Sequence, residues 1–332
     1  MKSSLLYSIL VGLFLATACL SGSDLPASTQ LDASTSTGIT TVPTSTVVPQ
    51  ALPATSTVTS TPSVSSVTPS PLQAASPTPL ATATYKPGSW TTMPILPDLN
   101  DRVIEIYQHG MELGNNPQAF SKIGDCGSTP AWFLGDFDRD EKFYRLGDHQ
   151  YLSEVIGEFR GSFDRTSLAA KSGFNVSSIF APLWTDKTQC LADEGPLACE
   201  YRVYRPAFAF IMLGSNDVWH PDEFEPQMRK LIEFSIDQGV VPILSTKADN
   251  IEGDGSINET IARLSVEYGI PLWNYWLAVQ SLPKQGLQDD QVHITWGPNR
   301  FDDPQVMKAG WPVRNLTALQ VLDKIWHFVT HP

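Results

Sequence analysis

The stretch PAFAFIMLGSND, from Pro206 to Asp217, decides how this 332-residue sequence folds. Its proline is followed by an unbroken apolar run, which is typical of a central strand in a parallel sheet covered on both faces. The run ends in a polar cluster that begins at Gly214. Because parallel sheets form their sites at the carboxyl ends of strands, this cluster is a candidate functional site.

Amphipathic helices and shorter strands alternate on both sides of this run. Before it, the pattern predicts a helix that starts at Asn100 or Asp101 and stops at Gly114, then a strand at 120–124. After it come a helix at 222–239, a strand at 240–244, a helix at 257–269, a strand at 270–273 and a closing helix at 315–329. This alternation predicts an α/β fold, a three-layer α/β/α sandwich with a central, mostly parallel sheet.

Three short motifs in this framework carry chemistry. The letters GDC end the first predicted strand at 124–126, GSND ends the long strand at 214–217, and DQVH follows late in the chain at 290–293. A cysteine or serine nucleophile, an asparagine donor and an Asp-x-x-His pair are the parts of an acyl-transfer site. The motifs therefore indicate an enzyme acting on acyl groups.

These motifs, in this order, resemble those of the SGNH/GDSL hydrolases, over residues 115–330. That family has Gly-Asp-Ser after its first strand, a glycine in its second motif, Gly-x-Asn-Asp in its third and Asp-x-x-His near its end. The resemblance implies a flavodoxin-like sandwich and an esterase that needs neither a metal nor an organic cofactor. It also implies a substrate that is a small acyl ester or an acylated polysaccharide.

The resemblance assigns a role to each motif residue. His293 would be the general base, and Asp290 would orient its ring. Asn216, Gly173 and the backbone N–H of Cys126 would form the oxyanion hole. Gly173, within the letters KSGF at 171–174, is the candidate for the glycine of the second motif.

The sequence departs from the family at the nucleophile, because Cys126 stands where the serine is usual. Three interpretations follow. Cys126 is the nucleophile of an esterase, thioesterase or acyltransferase, since a thiol paired with histidine can attack carbonyl carbon. Alternatively, the domain is a non-catalytic module that binds a ligand or glycan. In the third interpretation, Ser128 replaces Cys126 as the nucleophile.

The N-terminal part predicts export. Residues 1–19 have a lysine, a short apolar stretch and small residues before Cys19, which resembles the signal of a bacterial lipoprotein with Cys19 as its lipidation site. An ordinary signal peptide is the alternative. Residues 20–90 are rich in Ser, Thr and Pro and predict a disordered linker, and residues 91–332 form the predicted folded domain. A monomer is expected in the bacterial cell envelope, attached to a membrane only by this anchor, or secreted.

Charge and cysteines add two constraints. The formal net charge of −13 argues against a nucleic-acid partner, since phosphate contacts need clustered Lys and Arg. Cys190 and Cys199 flank a short Gly-Pro loop, and in an oxidising compartment this spacing favours a disulfide, with two buried thiols as the alternative. His149 and His220 show no metal-ligand spacing with another histidine or a cysteine.

Overall fold

The computed structural model describes residues 84–331. The predicted export signal, Cys19 and the linker as far as residue 83 lie outside the described residues. The predicted boundary at residue 91 is too late, because Trp90 is buried in the core and its carbonyl oxygen accepts a hydrogen bond from Asn274 Nδ2 at 2.8 Å. Tyr85 also packs against this core.

The strands form one main sheet in the order β1-β3-β4-β5 with every pair parallel, and β2 pairs with β6 apart from it. The strands are β1 Asn116–Gly124, β2 Tyr144–Arg145, β3 Pro206–Met212, β4 Val241–Ser245, β5 Leu272–Trp273 and β6 Asn299–Arg300. The helices are α1 Asp101–Leu113, α2 Ser153–Glu158, α3 Pro196–Tyr204, α4 Pro221–Asp237, α5 Ser256–Tyr268, α6 Tyr275–Val279 and α7 Gly310–Thr330.

Helices flank this sheet, which confirms the predicted α/β architecture. All seven residues of β3 are buried, so both faces of this central strand are covered. Helix α1 contacts β3 and β4, and α4 and α5 contact β4. Helix α1 has the predicted ends: the Asn100 side chain accepts a hydrogen bond from the Arg102 N–H, and Gly114 ends the helix at a φ of 79°.

A single β-bridge extends the sheet beyond β1 and brings in the segment that contains Gly173. Gly124 pairs in parallel with Ala170, and the Lys171 N–H donates to the Gly124 carbonyl oxygen at 3.1 Å. This pairing places the residues after Ala170 beside the carboxyl end of β1. The second motif of the sequence analysis is therefore next to the first in space.

The predicted disulfide between Cys190 and Cys199 is present and ties a loop to helix α3. Glu194 lies close to both sulfur atoms, in an arrangement that could hold a metal ion. Because both sulfurs are in the disulfide, neither is a thiolate ligand for a metal. Within residues 84–331, no helix has the length and apolar character needed to cross a bilayer.

A buried lysine in β1 gives a testable pH dependence. Lys122 is 0% exposed and its Nζ donates to the Phe163 carbonyl oxygen at 2.6 Å. Burial, with the nearby Arg165, lowers the pKa of Lys122 to about 7. Between pH 7 and the ordinary lysine pKa of 10.5, the unfolded chain binds more protons at this residue than the folded chain does. The free energy of unfolding must therefore rise with pH over this range.

We expect Lys122→Met to remove this rise. Each unit of pKa difference is about 1.4 kcal/mol, so the wild type should gain several kcal/mol relative to the variant between pH 6 and pH 10. Urea unfolding at a series of pH values measures the difference, and Lys324→Met on the exposed side of α7 is the control. Parallel pH profiles for the wild type and Lys122→Met would contradict a charged-state penalty at Lys122.

Candidate active site

A cavity of about 350 Å³ opens at the carboxyl end of the main sheet. The segments that follow β1, β3 and β4 all contribute to its wall, and the loop before β6 closes one side. Four of the five residues assigned to the site from sequence line it, namely Cys126, Gly173, Asn216 and His293. Residues separated by more than 160 positions thus meet where an open α/β sheet usually binds its ligand.

The turn after β1 presents Cys126 to this cavity. Gly124 has no room for a side chain, because a Cβ there would lie 2.6 Å from the Met212 carbonyl oxygen. The Asp125 carboxylate accepts from the Gly127 N–H at 2.9 Å, and the Cys126 carbonyl oxygen accepts from the Thr129 hydroxyl at 2.8 Å. These bonds fix the backbone on both sides of the half-buried Cys126.

Ser128 does not occupy a nucleophile position. It is fully buried, it is absent from the cavity wall, and its Oγ has no hydrogen-bond partner among the described residues. A Cβ on Gly124 would meet this Oγ at 2.1 Å, so the hydroxyl packs under the turn. The geometry therefore argues against Ser128 as a substitute for Cys126.

His293 and Asp290 form a hydrogen-bonded pair at the cavity edge. The ring Nδ1 lies 2.7 Å from Asp290 Oδ2, while Asp290 Oδ1 accepts the backbone N–H groups of His293 and Val292, each at 3.0 Å. Partial burial opposes ionisation, but these hydrogen bonds outweigh it and lower the pKa of the Asp290 carboxyl. With Nδ1–H donated to the carboxylate, Nε2 is the basic nitrogen of the His293 ring.

The motif after β3 holds the loop that contains Gly173. Asn216 Nδ2 donates to the Phe174 carbonyl oxygen at 2.9 Å, and the Val176 N–H donates to Asp217 Oδ1 at 2.9 Å. One amide hydrogen of Asn216 is engaged in this contact, and the second is the one an oxyanion would need. Gly173 itself has a φ of 81°, in the region that favours glycine.

Burial has the largest effect on the pKa values of the two acidic residues near Cys126, Asp125 and Asp217. It raises the pKa of Asp217 to about 6, and Oδ2 of this residue has no hydrogen-bond partner among the described residues. It also raises the pKa of Asp125, which the Arg314 guanidinium and the Gly127 N–H oppose. The Asp125 carboxyl accepts a backbone N–H of the turn, and the Asp217 carboxyl accepts one of the loop that contains Gly173. Both carboxyls therefore hold the backbone in position.

Three features of the cavity wall were not predicted. Arg314 contributes to it from near the start of α7, and Trp219 lines its mouth with 57% of its surface exposed. On the wall after β4, Lys247 Nζ bonds Asp249 Oδ1 at 2.7 Å and Glu252 Oε2 at 2.5 Å. One sequence signal was available for Arg314, because it is a single charge within an apolar segment.

Four tryptophans of the folded part, Trp184, Trp273, Trp276 and Trp296, lie in different surroundings. Trp273 is fully buried in the core, and Trp296, although 68% exposed, does not line the cavity. Trp184 is exposed and packs its ring edge near Phe174. Only Trp276 lines a neighbouring groove.

Comparison with protein-family models found no match, and neither did comparison with curated proteins. Solved structures do superpose on this chain. A GDSL-like lipase from Bacteroides thetaiotaomicron VPI-5482 is 15% identical with a TM-score of 0.40, covering 68% of this chain and 99% of that one. An acetyl xylan esterase variant from Geobacillus stearothermophilus is 17% identical, with a TM-score of 0.39 and coverage of 63% and 94%. A psychrotrophic esterase from Pseudoalteromonas sp. is 13% identical, with a TM-score of 0.39 and coverage of 62% and 97%.

These solved structures are similar to this chain in fold. Their sequence identities and TM-scores are too low to indicate its activity.

Asn216 gives a prediction specific to an oxyanion hole. For an enzyme that stabilises a tetrahedral intermediate with this side chain, Asn216→Ala should lower kcat by ~10²–10³-fold, the usual loss when one oxyanion-hole donor is removed. Hydrolysis of a chromogenic acetyl ester measures this effect. Asn175→Ala is the control, since Asn175 caps the same loop through the Ser178 N–H but lies outside the cavity wall. Equal losses in both variants would indicate loop disorder rather than a lost donor.

Proposed function

We propose that this protein is an esterase or acyltransferase that uses Cys126 as its nucleophile. The observation that carries the proposal is the meeting of Cys126, His293, Asn216 and Gly173 on the wall of one cavity, with Asp290 bonded to His293. A nucleophile, a base with its orienting carboxylate, and two donors are the complete set for acyl transfer.

The reaction follows from these positions. His293 Nε2 takes the Cys126 proton, and the sulfur attacks the ester carbonyl carbon, so that the carbonyl electron pair moves to oxygen. Asn216, Gly173 and the Cys126 N–H stabilise this oxyanion. Its collapse breaks the bond to the alcohol oxygen, which takes the proton from His293 and leaves a thioester on Cys126. Water, deprotonated by His293, then releases the acid and restores the thiol.

The wider groove beside the cavity supports a polysaccharide as the carrier of the acyl group. This groove has a volume of about 900 Å³ and shares Ala248 and Ile251 with the cavity wall. It is lined by Trp276 and by side-chain amides, namely Asn250, Gln280, Gln285, Gln288 and Gln291. Amides can donate and accept towards sugar hydroxyls, and an indole offers a flat apolar surface, so removal of an acetyl group from a glycan suits this surface.

Export by a lipoprotein-type signal, with Cys19 as the acylated residue, is part of the proposal. The disulfide between Cys190 and Cys199 supports it, because such bonds persist mainly in oxidising compartments. Metabolic labelling with a radioactive fatty acid tests the anchor, since Cys19→Ser should remove the label from the protein.

The test of activity is release of a chromogenic acetyl ester by the reduced protein, before and after treatment with iodoacetamide. We expect turnover that alkylation of the thiol abolishes. If untreated protein releases no more product than buffer, the esterase proposal fails. The non-catalytic binding module is then favoured, and binding of acetylated oligosaccharides without turnover would support it.

A further inference from the structure

Arg314 is a buried cation at the cavity wall. It is the fifth residue of α7 and is 7% exposed. Within residues 84–331 no carboxylate lies at salt-bridge distance from it, although Asp125 interacts with it electrostatically, and its Nε is buried without a hydrogen-bond partner. A buried charge costs several kcal/mol unless an opposite charge compensates it, so the source of compensation is informative.

Arg314 contacts the turn that contains Cys126. Nη1 donates to the Gly127 carbonyl oxygen at 2.8 Å, one residue after the cysteine. Aromatic rings surround the guanidinium, with centroid distances of 4.8 Å to Phe133, 5.1 Å to Trp311 and 5.7 Å to Tyr275. Ring faces attract a cation weakly and hold it in place, but they carry no net charge.

The other ionisable groups near Cys126 are largely engaged elsewhere. These groups are the ionisable residues that line the cavity, together with the nearby Asp217 and with Asp290, the partner of His293. They are Asp125, Asp217, Lys247, Asp249, Tyr275, Asp290, His293 and Arg314. Asp249 is bonded to Lys247, and Asp290 is bonded to His293. Burial opposes ionisation of Asp125 and Asp217. Arg314 interacts electrostatically with Tyr275, Asp125 and Cys126. Of these three, Cys126 is the group whose anion the proposed reaction needs, and the bond to the Gly127 carbonyl oxygen holds the guanidinium at its turn.

We propose that Arg314 is a positioning residue for Cys126, which fixes the turn through the Gly127 carbonyl and favours the thiolate by its positive charge. This inference rests on the proposed function, which makes Cys126 the nucleophile. It also gives a physical reason for a cysteine at this position. A nearby cation stabilises the charge of a thiolate, whereas a serine hydroxyl stays neutral near pH 7 and gains far less.

The test measures the rate of iodoacetamide reaction with Cys126 as a function of pH, which requires no ester. Arg314→Met removes the charge, and we expect its alkylation rate near pH 7 to fall about tenfold as the thiolate forms at higher pH. Arg314→Lys keeps the positive charge but loses the planar guanidinium group. It should retain most of the alkylation rate while ester turnover falls, because the turn is held less well.

Ionisation of Cys126 in His293→Ala tests the inference if Arg314→Met does not fold. In His293→Ala the imidazole is gone and Arg314 remains, so Cys126 should still ionise below the ordinary thiol value of ~8.5. Circular dichroism checks the folding of every variant. A folded Arg314→Met with the wild-type pH profile, or a His293→Ala variant with an ordinary thiol, would overturn the inference. Absence of ester turnover with these alkylation results intact would instead count against the proposed function alone.

Discussion

Cys126→Ala is expected to lose esterase activity by ~10³-fold or more, because the variant has no atom that can attack the ester carbonyl carbon. The cavity should otherwise persist, since the Cys126 carbonyl oxygen, and not its sulfur, bonds Thr129. Initial rates on a chromogenic acetyl ester, with protein concentrations matched, measure the loss.

Two matched variants distinguish a lost nucleophile from a damaged turn. Ser128→Ala changes a buried hydroxyl two residues away and should keep most of the activity. Cys126→Ser should be less active than the wild type and insensitive to iodoacetamide, because its hydroxyl forms no thiolate for Arg314 to stabilise. An active Cys126→Ala together with an inactive Ser128→Ala would contradict Cys126 as the nucleophile. A gain of activity in Cys126→Ser would favour the binding module.

His293→Ala is expected to cost ~10³–10⁴-fold in kcat, because it removes the base for both the thioester-forming and the thioester-releasing step. Asp290→Asn should cost less than His293→Ala, since the base remains and only its orientation and tautomer are disturbed. His109→Ala, an exposed histidine of α1, is the control that should retain full activity. Unchanged activity in His293→Ala would remove the general base from the account.

The central strand and the motif positions could be predicted because each depends on local sequence. The apolar run of β3 is buried on both faces and could not have been a surface strand. Gly214 has a φ of 134°, so the polar cluster after β3 needs a glycine. Such turns are specified by residues that are adjacent in the chain.

Arg314 could not be assigned because its burial depends on tertiary packing. Helix α7 was expected to start at Asn315 but begins at Gly310, which places Arg314 inside the helix. The direction of the side chain is then set by Phe133 and Tyr275, which come from other parts of the chain. The same limit applies to Trp273, since composition alone does not distinguish a core tryptophan from a surface one.

The most direct test of the account is mass spectrometry of the protein after mixing with an activated acetyl ester and rapid acid quenching. The account predicts one added acetyl group on the peptide that contains Cys126, absent in Cys126→Ala and formed far more slowly in His293→Ala. Ester turnover that proceeds with the acetyl group on another residue, or that continues at the full rate in Cys126→Ala, would contradict it.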